Sequence, residues 1–189
     1  MRKVILAMQI TVDGFACGPN DEMDWLIDGD EDWKEMFRDI ESVDTILLGR
    51  KMYPGYAGYW RSVLTNPNAN RDELEYARYA DRTPHIVFSK SASIKTDWAN
   101  TRIAKDPKHE ITQLRQQPGK NIIVWGGADF ASSLIKLGLI DEYRIALNRT
   151  LLGAGKTPFH NIVPRKKLQL IDARPLTSGN VILRYRAVN

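Results

Sequence analysis

Apolar residues in this chain gather into short runs, and the stretches between them carry a helical period. Val4 to Met8, Thr45 to Leu48, His85 to Ser89 and Ile122 to Trp125 have the length and character of strands buried in a sheet. Thr101 to Ala104 reads as a further short strand. Trp33, Phe37 and Ile40 share one face of a helix predicted over about Glu31 to Ser42, which Asp30 can cap. Asn70 begins a polar helix through about Tyr79. Asp106-Pro107 has the N-cap and first-turn chemistry of another, which Pro118-Gly119 stops. Met52 to Pro67 holds Pro54, Gly55, Gly58 and Pro67 among aromatic residues, and predicts a short helix followed by a long loop.

The stretch from Asn121 to Leu147 combines these signals most clearly. A strand ends on Gly126-Gly127. Phe130, Leu134 and Leu137 then recur at i, i+4 and i+7, and Gly138 stands where a left-handed C-cap is expected. Tyr143, Ile145 and Leu147 alternate with more polar neighbours, as in a partly exposed strand. Near the C-terminus, Leu168 to Asp172 and Val181 to Tyr185 flank Thr177-Ser178-Gly179-Asn180, the pattern of an antiparallel hairpin. Alternating strands and helices imply an α/β fold of three layers. Its mostly parallel, mixed sheet is flanked by helices and finished by the antiparallel C-terminal hairpin. At 189 residues the expectation is a single domain over 1–189.

Sheets of this kind bind ligands at the carboxyl ends of their strands. Asp13-Gly14, Gly49-Arg50-Lys51, Ser89-Lys90 and Gly126-Gly127 each follow a predicted strand, so parallel strands would bring all four turns to one edge. A Gly-Gly turn opening a helix lets an anion approach bare N–H groups, and a pyrophosphate is its natural guest. The same dipeptide also serves as a plain sharp turn, and Asp129 in the helix's first turn already complements the dipole. Gly153-Ala154-Gly155-Lys156-Thr157 resembles the end of a P-loop. It lacks the first glycine, where Thr150 stands, and Pro158 breaks any following helix.

Charge and composition narrow the classes. The net charge of +4 is spread along the chain, and Arg165-Lys166-Lys167 reads as a solvated loop, so no nucleic-acid partner is expected. His85, His109 and His160 lack metal-ligand spacing, so no metal is expected. A single cysteine, Cys17, excludes an internal disulfide and suits the cytoplasm. No run reaches the length of a membrane span, and no signal peptide is seen.

Taken together, the turns resemble one family. A strand is followed by VDGFACG, a second by LLGRKMY and a third by FSK; then come IIVWGGADF with its helix and LIDEYRIALNRTLLGAGKTPF. From about Lys3 to Tyr185 this resembles the dihydrofolate reductase-like fold. Within it, the match is to the reductase domain of bifunctional riboflavin-biosynthesis deaminase-reductases; the zinc signature of the deaminase half is missing. The resemblance implies an NADPH-dependent reductase of a pterin-like or pyrimidine-like heterocycle, in the form of a homodimer. Gly49, Arg50 and Lys51 match the segment at the cofactor's phosphates, and Ser89 and Lys90 the region near the adenosine 2′-phosphate. Gly126, Gly127 and Ala128 match the pyrophosphate turn, and Ala16 the neighbourhood of the nicotinamide. At Met52 the chain departs from dihydrofolate reductases, which usually carry a threonine able to bond a phosphate. Folate reductases also hold the pterin with a carboxylate on the first helix. Asp32 stands in about that place as the catalytic acid, with Asp24 and Asp28 as competitors. Trp25, Trp33 and Trp60 could wall a flat ring, although Trp33 reads first as a core residue. A cofactor-binding protein without turnover is the alternative on the same fold.

Overall fold

The computed structural model describes residues 1–26, 30–38, 40–91 and 94–188, apart from the side chains of Asp30 and Trp33. The expectations for Asp28, for Asp30 as a cap and for Trp33 as wall or core therefore lie outside the described residues.

The strands are β1 (Val4–Thr11), β2 (Val43–Gly49), β3 (His85–Phe88), β4 (Thr101–Ala104), β5 (Asn121–Trp125), β6 (Glu142–Asn148), β7 (Lys167–Pro175) and β8 (Val181–Val188). They form one sheet in the order β4-β3-β2-β5-β1-β6-β8-β7. The first six in that order are parallel to one another, and β8 pairs antiparallel with both β6 and β7 at one edge. The α/β expectation, with its antiparallel finish, is what the chain forms.

The helices are α1 (Asp30–Met36), α2 (Tyr53–Thr65), α3 (Arg71–Arg82), α4 (Pro107–Gln116) and α5 (Ala128–Lys136). Asn70 caps α3 by accepting from the Asp72 N–H, and Asp106 caps α4 by accepting from the Lys108 and His109 N–H groups. One sheet face buries Leu6, Leu47 and Val124 under Ile111 and Leu114 of α4 and Ala131, Leu134 and Ile135 of α5. The other buries Ile46, Leu48, Ile123 and Trp125 under Tyr53, Trp60 and Tyr76 of α2 and α3. Each fully buried side chain of this size contributes about 1.5–3 kcal/mol, so the two cores hold the three layers together.

Three expectations are corrected. The Met52–Pro67 segment is a full helix of 13 residues rather than mostly loop. Tyr53, Tyr56, Ala57, Trp60 and Val63 form a buried stripe at helical spacing, and Pro54 sits in the first turn, where its missing N–H has no partner to lose. The first helix ends at Met36, and Ile40–Ser42 is a separate 3₁₀ turn, so Phe37 and Ile40 reach the core from outside α1. β6 is largely buried, because β1 and β8 flank it; even Glu142 and Asn148 are covered.

The buried polar groups on the α2–α3 side form a chain. Asn100 donates to the Ala80, Asp81 and Thr83 carbonyls, which leaves its Oδ1 to accept from His85 Nδ1 at 3.3 Å. His85 Nε2 then accepts from the Tyr56 hydroxyl at 3.4 Å, and Tyr56 accepts from Tyr76 at 2.7 Å. His85 is fully buried and stacks on Trp98, and burial pushes its imidazole down to about 4. No described helix is long and apolar enough to cross a membrane.

Candidate functional site

Because β1, β2, β3 and β5 run parallel, their carboxyl ends share one edge, and a cleft of about 530 Å³ opens there. It crosses the sheet edge. On the α4–α5 side its wall includes Ala16, Phe88, Ala128 and Phe130; on the α1–α3 side it includes Ala7, Met36, Met52 and Trp125.

The glycine turn lies in this wall. Gly126 and Gly127 have φ of +47° and +80°, left-handed values that favour glycine, and Gly127 is the N-cap of α5. A Cβ at Gly127 would meet no protein atom nearer than Met52 Cβ at 3.7 Å. The missing side chain therefore serves the backbone conformation and the open side of the turn, and the first N–H groups of α5 begin there. Gly49 is different: a Cβ would fall 2.7 Å from Phe130 Cβ, so its bareness is needed for α5 to pack on β2.

Of the positions named from the sequence, Ala16, Gly49, Arg50, Lys51, Gly126, Gly127 and Ala128 all line the cleft. Ser89 and Lys90 sit just past its Phe88 wall and do not line it. Ser89 is buried, its hydroxyl donating to the Ser91 carbonyl at 2.8 Å and accepting from the Ser91 N–H, and Lys90 is exposed. Asp13, in the first of the four turns, folds away from the cleft. It accepts from the Leu152 and Gly153 N–H groups and the Thr11 hydroxyl, and the Thr11 bond above all lowers its pKa.

Asp32 is also outside the cleft wall. One oxygen accepts from Asn180 Nδ2 at 2.7 Å and Ser178 Oγ at 3.0 Å, which ties α1 to the β7–β8 hairpin. Asp24 does not line the cleft either. The expected aromatic wall is not built from Trp25 and Trp60. Both are buried away from the cleft, Trp60 against Tyr76 with ring centroids 4.4 Å apart; Trp125 is the indole at the cleft.

Sequence reasoning missed Lys156. The segment set aside as a false P-loop folds back over the β1 loop, where the Cys17 and Lys156 backbones bond each other and Ala16 N–H donates to the Lys156 carbonyl. That places Lys156 in the cleft wall, 2.6 Å from Asp21, and the bond to Lys156 lowers the Asp21 pKa. Across the mouth, Lys51 pairs with Asp129 at 3.1 Å. Lys51 also acts on Asp21, and Asp129 on Lys156, so the four charges form one cluster. The Lys51 and Asp129 side chains are 69% and 66% exposed, so their pair contributes at most about 1 kcal/mol and yields readily to a stronger anion. Cys17 lines the same wall; burial raises its thiol pKa.

The comparisons with known proteins concern the chain as a whole and its fold. The Bacillus subtilis (strain 168) protein YyaP, itself uncharacterised, is 31% identical over 185 residues, covering 97% of this chain and 94% of its own. A Thermotoga maritima diaminohydroxyphosphoribosylaminopyrimidine deaminase/5-amino-6-(5-phosphoribosylamino)uracil reductase superposes with a TM-score of 0.65 at 13% identity, over 99% of this chain and 57% of that one. Dihydrofolate reductase from Enterococcus faecalis, complexed with NADP(H), superposes with a TM-score of 0.65 at 13% identity, over 99% and 97%. These two likenesses concern the fold, which is dihydrofolate reductase-like. Residues 2–182 match the family described as the RibD C-terminal domain, and with a relative of nearly full length beside that match, the chain belongs to this family.

Proposed function

We propose that this protein is an NADPH-dependent reductase of a pyrimidine-like or pterin-like heterocycle, acting in the cytoplasm as a single domain. The observation that carries the reading is the left-handed Gly126-Gly127 turn, open to a cleft whose rim bears Arg50, Lys51 and Lys156. Those groups fit a dinucleotide. The turn and the start of α5 take the pyrophosphate, Arg50 and Lys51 add charge, and Ala16 lies against the nicotinamide. When bound, the dihydronicotinamide would supply a hydride to an electrophilic ring carbon and be released oxidised, the adjacent nitrogen or oxygen taking its proton from water. The chain's own part is to hold the two rings in contact and to exclude water from between them. Titration with NADPH, followed by tryptophan fluorescence through Trp125 at the cleft, tests the binding. NADPH consumption with candidate heterocycles tests turnover.

Lys90 remains assigned to the 2′-phosphate, with Arg50 as its neighbour in the wall. Arg50 N–H donates to the Phe88 carbonyl at 3.2 Å, so the backbones of both residues stand at the end of β3. A charge-assisted bond contributes about 1.5–3 kcal/mol, so Lys90→Ala should weaken NADPH by roughly tenfold or more and leave NADH nearly unchanged. Equal weakening of both cofactors removes Lys90 from that role.

Binding without turnover is favoured by two observations, the carboxylates Asp21 and Asp129 at the cleft and the position of Asp32 outside it. NADPH affinity with no consumption across a panel of heterocycles would establish that second reading.

The homodimer is supported by the C-terminal hairpin. Leu168, Leu170 and Ile171 of edge strand β7 are exposed, and β7 leaves one side of its backbone unpaired within the described sheet. Leu170→Lys should convert a dimer to a monomer in sedimentation; a monomeric wild-type protein ends that assignment.

A further inference from the structure

The substrate has to lie where a cofactor on the glycine turn leaves room, against the wall between α1 and α2. Ala7, Gln9, Met36, Met52, Gly55 and Trp125 line that side. Of the five methionines in the chain, four line the cleft: Met8, Met23, Met36 and Met52. The charged side chains of the wall are Asp21, Arg50, Lys51, Asp129 and Lys156. All belong to the turn after β2, the start of α5 and the two joined loops, and four of them already pair among themselves. Among the described residues that line the α1–α2 side, none is ionisable. Asp32, one turn before Met36, accepts from Ser178 and Asn180 through one oxygen, and its other oxygen is buried with no hydrogen-bond partner among the described residues.

Beyond that wall, in a small hollow behind Met8 and Met36, lie Arg38, which pairs with Glu35 at 3.4 Å, and two further arginines, Arg144 and Arg184. Both donate to Glu142, at 3.2 and 3.1 Å, and Arg144 also donates to the Arg38 carbonyl at 3.0 Å. The hollow measures about 20 Å³. That is room for one water and not for a phosphate. A phosphate or carboxylate tail in the inner cleft would be desolvated with no counter-charge to meet it. Thioethers behave differently toward a flat ring: they are polarisable, adapt their rotamers and make favourable contacts with aromatic systems.

Resting on the cofactor reading above, we propose that the inner half of the cleft takes an uncharged, planar heteroaromatic ring that carries no phosphate or carboxylate tail. That separates this chain from the phosphoribosylated uracil named for the Thermotoga maritima protein. Met36 and Met52 on that side, with Met8 and Met23 elsewhere in the cleft wall, also tolerate varied substituents, so several rings of this class should bind.

Riboflavin and flavin mononucleotide differ by one phosphate and serve as a matched pair. Flavin fluorescence anisotropy would be measured on the full chain, with and without saturating NADP⁺. Riboflavin should bind at least about tenfold more tightly than flavin mononucleotide in both conditions. Met36→Lys should narrow or reverse that preference by placing a cation at the ring site. Met52→Lys, on the same wall and only half-buried, should do the same. Equal or tighter binding of the phosphorylated flavin to the wild-type protein overturns the proposal. So does binding of neither flavin at millimolar concentration, or an unchanged preference in both lysine variants. Failure of NADPH to quench tryptophan fluorescence while riboflavin still binds as expected defeats the cofactor reading alone.

Discussion

Gly127→Val should abolish NADPH binding while leaving a folded protein. Gly127 holds φ at +80°, a region a β-branched residue enters only with strain of about 1–3 kcal/mol. The protein side of the turn can accept the added atoms, because the nearest neighbours to a Cβ are Met52 Cβ at 3.7 Å and Phe130 Cβ at 3.9 Å. The ligand side cannot: a branched side chain would stand over the N–H groups at the start of α5. Binding should therefore fall by roughly a hundredfold or more, about 2.7 kcal/mol, whereas unfolding should shift only by the strain. Fluorescence titration and urea unfolding on one sample separate the two effects. A folded variant that binds NADPH normally would falsify the pyrophosphate assignment.

The second large effect is on stability and comes from His85. Its folded pKa is pushed down to about 4, chiefly by burial, which the hydrogen bonds to Asn100 and the Thr83 backbone and the charge of Asp81 only partly oppose. In the unfolded chain an imidazole titrates near 6.5. Between those values the unfolded state binds a proton that the folded state refuses. Stability is therefore full above about pH 6.5 and declines as pH falls toward 4, where the loss reaches about 3 kcal/mol. Urea midpoints at pH 7, 6 and 5 should fall in step. His85→Gln, which stays neutral, should start lower at pH 7 and show a flatter decline; an equal slope in the variant would transfer the effect to carboxylates.

Much of this architecture could be read from the residues, and the exceptions have physical causes. Asp106-Pro107 and Asn70 announce their helices because a cap is local chemistry, complete within three residues. The strands of the parallel sheet announce themselves because burial on both faces demands unbroken apolar runs. α2 was hidden by Gly55 and Gly58, both on its exposed side, although Tyr53, Tyr56, Ala57 and Trp60 already carried the helical stripe. Tertiary packing outweighed propensity there. At the cleft, the turns after β2 and β5 could be placed because parallel strands fix where their ends lie. Lys156 could not, since only the long return of its loop to Cys17 brings it to the wall. Asp32 could be placed but not aimed: its position in α1 is close to the one expected, and Ser178 and Asn180, nearly 150 residues later, hold one oxygen of its carboxylate.

The place of β1 in the middle of the sheet also bears on how the chain is made. The backbone at its start bonds to side chains far downstream: Lys3 N–H, just before the strand, to Asn121, 118 residues on, and Val4 N–H to Asp141, 137 residues on. Its apolar run therefore leaves the ribosome long before either flanking strand exists, and closing loops of that size makes such pairing intrinsically slow. A nascent chain stalled anywhere before Asn121 would display Val4 to Ile10 without the strands that later cover its edges, an invitation to chaperones or to aggregation. Arrest of synthesis after β6 should be the earliest point at which a stalled chain resists proteolysis across β1.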